Sequence, residues 1–557
     1  MPLHFYDPPS SDSRPNPEPP PPALEEEGAA SARTTGIVAL AVMCSRVLGL
    51  IREMIFTAMF TGMIRDSFLA AFRIPNLLRD LFAEGALSTA FVTVFSQKLK
   101  KDGNAAAWAL AHRVLSLTAV FMSLVSVLGV LFAGPIVQAL GGKWSAEKKE
   151  LVTHLTQIMF PFILMVSLAA LVMGLLNAKK VFGPPAMASS FFNIVSIAGG
   201  CLLAWMLDAD HAKPFDEWSI VGFSIGTLLG GVAQLAVQFP SLRRIGYVFR
   251  FDRHWRDPDV RRMLILMVPS VIAGSSVQIN VLVNTIFTSS LAQEDGPLSW
   301  LNVAFRLMQL PLGVFGVAVA TVTLPVLSRV AADGITPKFR EVLGGGNRLV
   351  VFLTLPCAVG LALLAHPIIS VLYERYEFKA WETEGAAGAL RWYAVGLVFY
   401  ALLKVVQPAF TAIGRNHIPM YVAFLSIGIN AGLNYLFVFK LHKDHTWLAL
   451  TTAVVALINF ALLYGILTRI AGGLDGRKLL ATLGRLMAPA TALGLVSWLG
   501  WHFVMEQGWQ EFGLLSRCAT LGLTITAAGT AYMLLAHLLE VDEAKQFMSI
   551  ASRRLRR

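Results

Sequence analysis

The fold is decided by residues 34–60, which read TTGIVALAVMCSRVLGLIREMIFTAMF. This is an apolar run of the length that crosses a bilayer as one helix, about 20 residues. Arg46, Arg52 and Glu53 lie inside it, with apolar residues on both sides. A charge at the bilayer centre costs about 2.5–3.5 kcal/mol on insertion scales. The three charges must therefore pair, face a helix bundle or line a wet cavity, which indicates a site for an ion or a substrate within the membrane.

The composition is that of a membrane protein. Of the 557 residues, 55% are hydrophobic and 15% are charged, and the mean hydropathy is +0.61. A soluble domain carries about 25% charged residues. About fourteen continuous apolar runs are long enough to span a bilayer, whereas a β-barrel would show short alternating segments. The sequence predicts an all-α polytopic membrane protein with about fourteen transmembrane helices.

The net charge of +11 is distributed in a way that argues against nucleic acid as a partner. Basic residues cluster in short loops after even-numbered runs, such as KLKKD at 98–102. Loops after odd-numbered runs are acidic or neutral, although 141–150 and 440–445 carry lysines. Cytoplasmic loops are enriched in Lys and Arg. We therefore expect a multi-pass protein with both termini in the cytoplasm.

An internal repeat divides the membrane region. The tripeptides Ala71–Arg73 and Ala304–Arg306 align, and so do Pro75 and Pro311. The two copies are about 230 residues apart, with an even number of apolar runs between them, so the repeats are parallel. Two six-helix lobes related by an axis along the membrane normal would enclose a central cavity. The last two runs have no counterpart and form an extra pair.

The composition also defines segments outside the lobes. The start of the chain, with PNPEPPPPALEEEG, contains no core-forming residues and is predicted to be disordered. A loop rich in arginine and aromatic residues separates the lobes, and it is either a membrane-surface segment or a solvated basic loop. The predicted segments are a Pro/Glu-rich cytoplasmic tail at 1–33, an N-terminal lobe at 34–240, a basic cytoplasmic linker at 241–262, a C-terminal lobe at 263–470, an extra helix pair at 471–540 and a basic cytoplasmic tail at 541–557.

Arginine dominates the charges within the first two runs. Arg46 and Glu53 are seven residues apart and share a helix face. Glu53 can neutralise one arginine, which leaves either Arg46 or Arg52 uncompensated. In the second run, which Asp66 opens, Arg79 has no carboxylate on its own helix face. We therefore expect Arg79 to be a site residue rather than part of a salt-bridged stripe.

The eighth run carries a matching polar stripe. Ser299, Asn302, Arg306 and Gln309 follow spacings of three and four on an otherwise apolar helix. The buried balance over all runs is positive. Guanidinium groups bind phosphate or carboxylate through paired hydrogen bonds and stay charged. The sequence therefore predicts a site for an anion with several oxygens, such as a diphosphate.

Other chemistry is weakly supported. The four cysteines, Cys44, Cys201, Cys357 and Cys518, fall in apolar runs and are expected to be free thiols, so no disulfide, metal or cofactor is predicted. There is no HExxH, P-loop or GxSxG motif, and we expect no enzyme. Two asparagine pairs at i, i+4 either hold a cation or join helices by hydrogen bonds, and we favour the second interpretation. They are Asn280 with Asn284 and Asn430 with Asn434.

Residues 45–97 also carry a family resemblance. The segments SRVLGLIRE (45–53) and RDSFLAAFRIPNLLRDLFAEGALSTAFVTVFSQ (65–97) resemble the amino-terminal signature of the MurJ (MviN) family of lipid II flippases. That family belongs to the multidrug/oligosaccharidyl-lipid/polysaccharide exporter superfamily. The resemblance continues through FRLMQLPLGVFGVAVATVTLPVLS (305–328) and covers essentially the whole chain after the tail.

The resemblance implies a fold and a function. It implies two lobes in a V shape, with the extra helix pair forming a groove for a polyprenyl tail. It also implies alternating access that moves the peptidoglycan precursor lipid II from the cytoplasmic to the outer leaflet of the bacterial inner membrane, for cell wall synthesis. The expected partners are lipid II, membrane lipids and the cell-wall synthesis machinery, with a monomer as the working unit.

The resemblance also assigns site residues and leaves alternatives. It places substrate-binding residues at Arg46, Arg52, Glu53, Asp66, Arg79 and Arg306. Some members have an acid where this chain has Gln309, and no acidic sodium ligands match. The alternatives are a flippase for another polyprenyl-diphosphate oligosaccharide, a cation-coupled drug exporter, a membrane enzyme on polyprenyl phosphates and a scaffold. A drug exporter needs buried acids more often than buried arginines.

Overall fold

The computed structural model describes residues 22–81, 87–208, 215–332, 334–506, 508–509 and 511–545. Every regular element within these ranges is helical, as the sequence predicted. Eleven of the described helices are long and apolar enough to cross a membrane. The count of about fourteen spans stays a prediction.

Nine helices form the first half of the described chain. A glycine contact sets the spacing of α7 and α8, because a Cβ atom on Gly226 would lie 2.3 Å from the backbone nitrogen of Gly200. Small residues allow such close approach of membrane helices. The helices are α1 (Pro22–Met59), α2 (Gly62–Arg79), α3 (Ser88–Leu131), α4 (Ala133–Leu140), α5 (Ala146–Met159), α6 (Phe162–Ala178), α7 (Gly183–Leu207), α8 (Glu217–Ala236) and α9 (Phe239–Arg244).

Helix α1 begins earlier than expected. It starts at Pro22, so residues 22–33 are helical rather than the disordered tail predicted there. Proline suits the first position of a helix, and the alanine and glutamate residues that follow are good helix formers. Residues 1–21 lie outside the described residues, as do residues 546–557 of the predicted basic tail.

The linker is shorter than predicted and is tied to the N-terminal lobe. Helix α10 (Pro258–Thr288) begins inside the expected range of 241–262, because the Asp257 side chain accepts a hydrogen bond from the Asp259 backbone. Arg113 of α3 forms ion pairs with Asp252 and Asp257. Phe251 is 52% exposed beside these charges. An exposed aromatic beside arginines favours the membrane-surface interpretation of this segment.

The second half of the chain forms another packed unit, and the extra pair, α18 and α19, packs against it. The hydroxyl of Tyr532 on α19 donates a 2.8 Å hydrogen bond to the carbonyl of Phe352 on α13. The apolar core of this half is shared with residues of α18 and α19. The helices are α11 (Pro297–Pro311), α12 (Val317–Ala331), α13 (Pro337–Leu363), α14 (Ala365–Tyr373), α15 (Ala380–Ala412), α16 (His417–Tyr435), α17 (His445–Ile470), α18 (Gly476–Leu499) and α19 (Leu514–Leu538).

The two lobes meet at the end of the bundle that is opposite the linker. We call it the sealed end, and the other the linker end. There the backbone N–H of Glu377 donates to the carbonyl of Ala58 at 3.2 Å. The Ser289 hydroxyl donates to the carbonyl of Leu140 at 2.7 Å. Each contact joins an element of the first half of the chain to one of the second half.

Candidate functional site

An ion pair between the lobes lies at the centre of the candidate site. The Glu53 carboxylate on α1 pairs with the guanidinium of Arg306 on α11. The amide of Asn302, one turn earlier on α11, donates to the other Glu53 oxygen at 2.8 Å. Glu53 is buried, whereas the Arg306 side chain remains 34% exposed. Two members of the polar stripe predicted on this helix, Asn302 and Arg306, therefore contact α1.

Gly49 of α1 lies beside the Arg306 guanidinium and the Asn193 amide, and a Cβ atom there would make only ordinary contacts. A Cβ atom at position 49 would lie 3.7 Å from Arg306 Nη1 and 3.8 Å from the amide nitrogen of Asn193. Asn193 belongs to α7 and donates to the carbonyl of Ser45 at 3.1 Å. Asn193 of α7 therefore contacts the same stretch of α1 that Arg306 of α11 approaches. Asn193 was missed by the sequence analysis, since a lone asparagine in an apolar run gives no distinctive signal.

Arg52 has a hydrogen-bond donor that no described residue accepts. Its guanidinium lies 5.0 Å from the ring centre of Phe192. Its Nη1 atom is buried and has no hydrogen-bond partner among the described residues. The charges of Arg306, Glu53 and Arg79 all act on it. A buried guanidinium donor without an acceptor is a place where an anionic ligand would gain free energy.

Arg46 extends the positive surface along α1. It is exposed, and its guanidinium lies against Gly313 of the other lobe. A Cβ atom at position 313 would be 1.8 Å from Arg46 Nη1. Gly313 belongs to a π-helical segment, Leu312–Gly316, that follows α11. Such segments are frequent at functional sites, and here the segment leaves room for an arginine between the lobes.

Arg79 has a closer counter-charge than the helix wheel predicted. Its Nε and Nη2 atoms donate to Asp80 Oδ1 at 3.0 and 2.7 Å. The Gln278 amide donates to the second Asp80 oxygen at 3.2 Å. A helix wheel places Asp80 on a different face from Arg79, but the long arginine side chain reaches it nonetheless. The pair is partly exposed, so Arg79 stays accessible to solvent.

Arg73 is a further cation that the sequence analysis left out of the site. Its Nε atom is buried without a hydrogen-bond partner in the described ranges, and no carboxylate within them forms an ion pair with it. It lies within electrostatic reach of Tyr393 on α15. The repeat provided the signal, since Arg73 aligns with Arg306 in the two AFR tripeptides.

Asp66 lies at the sealed end and caps a helix there. Its Oδ2 accepts the backbone N–H of Gly296 at 2.9 Å, and its Oδ1 accepts that of Ser299 at 2.7 Å. It therefore caps the N-terminus of α11 from the opposite lobe. Lys148 lies 4.0 Å away and pairs with Asp295 at 2.9 Å. Lys148, one of the lysines in the segment 141–150, is therefore buried in a cluster of carboxylates.

A second ion pair closes the sealed end and was not predicted. Arg65 of α2 pairs with Glu382 of α15, and both side chains are almost fully buried. Arg65 also donates to the carbonyl of Thr57 at 3.0 Å and lies over the ring of Phe378. The sequence analysis had no reason to join two charges so far apart in the chain.

The remaining polar positions have structural roles or no described partner. The four asparagines form amide hydrogen bonds between α10 and α16, so the favoured interpretation holds. Gln309 is exposed. Lys404 is exposed on α15 and has no ion pair among the described residues. Those residues also hold no cluster of His, Cys, Asp or Glu suited to a metal.

The arrangement is suited to binding an anion between two lobes. Four arginines from both lobes outnumber the two carboxylates beside them, Glu53 and Asp80. The lobes touch at one end, so the site is closed toward that end. A helical membrane protein with a charged site between two lobes is a transporter of the alternating-access kind.

Comparison with known proteins identifies the family. The sequence profile described as Lipid II flippase MurJ matches residues 55–518. The chain belongs to this family. The "Probable lipid II flippase MurJ" of Vibrio cholerae is 33% identical over 516 residues, which are 91% of this chain and 95% of that protein. The "Lipid II flippase MurJ" of Burkholderia cenocepacia is 34% identical over 429 residues, which are 76% and 81% of the two chains.

Solved structures share the fold. One described as "Lipid II flippase MurJ, inward closed conformation" aligns with a TM-score of 0.69 at 24% identity, over 89% of this chain and 98% of that one. An inward-facing multidrug resistance MATE family transporter aligns with a TM-score of 0.63 at 16% identity, over 78% and 98%. At these identities the likeness shows the fold alone, and it bears out the predicted two-lobe architecture.

Proposed function

We propose that this protein is a lipid II flippase, which moves lipid II from the cytoplasmic to the outer leaflet of a bacterial inner membrane. The observation that carries the proposal is the interlobe site, where Arg306 of one lobe meets Glu53 and Arg52 of the other. A diphosphate offers several oxygens to guanidinium groups. Family membership and the names of the relatives support lipid II as the substrate.

Glu53 acts as the resident anion in this mechanism. Its carboxylate pairs with Arg306, so that the buried charge of Glu53 has a partner before the substrate binds. An incoming diphosphate competes with Glu53 for that guanidinium and also reaches the unpaired Nη1 of Arg52. Binding therefore weakens a contact between the lobes. A ligand shifts a conformational equilibrium by its difference in affinity for the two states, and this competition supplies such a difference.

The proposed orientation places the linker end in the cytoplasm and the sealed end outside. The arginine-rich loops at the linker end support this orientation. The site would then accept lipid II from the cytoplasmic side and release it once Arg65 and Glu382 separate. The proposed driving force is the membrane potential, since moving one charge is worth about 2.3 kcal/mol per 100 mV.

The extra helix pair is the proposed position of the lipid tail. Leu523 of α19 is 71% exposed, and Phe503 after α18 is 60% exposed. Such side chains can cover a polyprenyl chain within the membrane. We further propose that transport involves no covalent step, that a monomer suffices, and that the cell-wall synthesis machinery receives the product.

Complementation tests the proposal. The chain should rescue bacteria depleted of their own lipid II flippase, and lipid II should become accessible to a reagent outside the cell. Arg306→Ala and Arg52→Ala should abolish both effects at normal protein levels, whereas Arg391→Ala, at an exposed arginine of α15, should not. Inserted protein that gives neither rescue nor accessible lipid II would reject the proposal.

A further inference from the structure

A second polar cavity lies at the sealed end, between the C-terminal lobe and the extra helix pair. Its volume is about 310 Å³. It lies where α14 ends and α19 begins, and none of the arginines of the interlobe site lines it. Polar lining residues are Ser370, Glu374, Arg375, Tyr376 and Arg517.

Arg517 forms one wall of this cavity and is held in place by several contacts. Its Nε atom donates to the carbonyl of Phe512 at 3.1 Å, and its Nη1 atom lies 3.4 Å from the Ser370 hydroxyl. The guanidinium is 5.4 Å from the ring centre of Trp509. Glu374 lies 3.5 Å from Nη1 and also accepts the Thr383 hydroxyl at 2.9 Å. The guanidinium is therefore fixed in orientation.

Arg375 also lines the cavity and has one nitrogen donor without an acceptor among the described residues. Its Nη2 atom donates to the carbonyl of Val371 at 2.7 Å. Its Nε atom is buried and has no hydrogen-bond partner in the described part of the chain. The next residue, Tyr376, has a positive φ of 50°, which is uncommon outside glycine. Such strained backbone persists where the surroundings impose it and is frequent at binding sites.

The charge of the cavity and the apolar surface beside it indicate which kind of ligand it binds. Two guanidinium groups face one carboxylate, so the cavity favours an anion, and phosphate matches their hydrogen-bonding geometry. Leu514, which also lines the cavity, is 51% exposed, and Leu515 beside it is 85% exposed. An apolar surface beside a phosphate-sized cationic cavity suits a lipid. We propose that this cavity binds the phosphate headgroup of a membrane lipid, with the acyl chains along the start of α19.

This site is distinct from the interlobe site and does not depend on the identity of the transported substrate. A bound lipid would join the turn after α14 to the start of α19, because Arg375 and Arg517 come from these two elements. The extra helix pair would then be held to the C-terminal lobe by a lipid as well as by its protein contacts.

Native mass spectrometry of the purified full chain tests the proposal. The probes are dioleoylphosphatidic acid, dioleoylglycerol with the same chains but no phosphate, and inorganic phosphate. Phosphatidic acid should bind, and binding should weaken at least about tenfold in an Arg375→Gln, Arg517→Gln double variant, because both guanidinium groups that would bind the phosphate are removed. Arg391→Gln should bind as the unchanged chain does. Arg375→Gln alone serves if the double variant is unstable.

Three results would overturn the inference. Equal phosphatidic acid binding by the unchanged chain, the double variant and Arg375→Gln would remove the cavity as the site. Equal binding of dioleoylglycerol would show that phosphate is not recognised. Competition by inorganic phosphate at the same concentration as the lipid would show that the ligand is free phosphate. None of these results would affect rescue by the flippase, so the two proposals fail separately.

Discussion

Glu53 on α1 and Arg306 on α11 form an ion pair that joins the two lobes, and the Asn302 amide supports the same carboxylate. The first prediction concerns the competition between this carboxylate and an anionic ligand for Arg306. Glu53→Gln should raise the affinity for inorganic pyrophosphate about tenfold, because Arg306 loses its competing anion. Arg306→Gln should abolish that binding. Titration calorimetry of the purified protein measures both, with the exposed Glu384→Gln as control. Unchanged affinity in both variants would contradict competition by Glu53.

Arg52 should not tolerate lysine. Lysine keeps the charge, but it lacks the planar fork that binds two phosphate oxygens and stacks on Phe192. We expect Arg52→Lys to lose most of the rescue in flippase-depleted cells while protein levels stay normal. Arg391→Lys, at an exposed ion pair, should retain full rescue. Full rescue by Arg52→Lys would show that charge alone suffices at this position.

Gly313 should be needed for the position of Arg46. In Gly313→Ala the new methyl group would overlap Arg46 Nη1, and the guanidinium would have to move. We expect reduced rescue with little change in thermal unfolding, because the end of a flexible side chain can yield. Gly428→Ala provides the control, since a Cβ atom there meets no atom within 4 Å. Equal rescue by the two variants would mean that Arg46 need not occupy this space.

The Arg65–Glu382 pair should stabilise the sealed end strongly. Removing one partner leaves a buried charge, at a cost of about 3–5 kcal/mol. Arg65→Gln and Glu382→Gln should each lower the unfolding midpoint, and Arg65→Met with Glu382→Leu should recover part of the loss. Breaking the exposed Arg391–Glu384 pair should cost under about 1 kcal/mol. Thermal unfolding in detergent measures all these variants, and similar costs for the two pairs would refute the prediction.

The linker should detach from the N-terminal lobe only at strongly acidic pH, where Asp252 is protonated and its ion pair with Arg113 is lost. The backbone N–H of His254 and the Arg113 guanidinium lower the pKa of Asp252 from 3.8 to about 2. Because the folded pKa is the lower one, this stabilisation is complete above pH 3.8 and is lost as the pH falls toward about 2. Trp255, whose indole donates to the Asp252 carbonyl, reports the change.

The measurement for the linker is the tryptophan emission of the chain minus that of Trp255→Phe. Its midpoint should lie below pH 3.8, the ordinary pKa of the group. Asp252→Asn should abolish the transition, since its side chain no longer titrates. A transition that survives in this variant would assign the change to another group.

The features that could be predicted from the sequence are those that depend on its hydropathy pattern. Apolar runs fix the helices, and a charge inside such a run must face protein or water, which made Arg46, Arg52 and Arg306 recognisable. The role of Asp66 was not predictable, because its partners are backbone N–H groups far along the chain. Arg79 shows a different limit, since a helix wheel ignores the reach of a side chain toward its own neighbour.

Helix α11 has no side-chain cap of its own, because its N-cap residue is Gly296 and the capping carboxylate belongs to Asp66 of the other lobe. The helix that carries Arg306 is therefore complete only while the lobes touch. Losing an N-cap costs about 1 kcal/mol, so this contact biases the resting state without locking it. When the sealed end opens, the amide N–H groups at the start of α11 lose this carboxylate. The capping of α11 and the separation of the lobes at the sealed end are thus coupled in one conformational equilibrium.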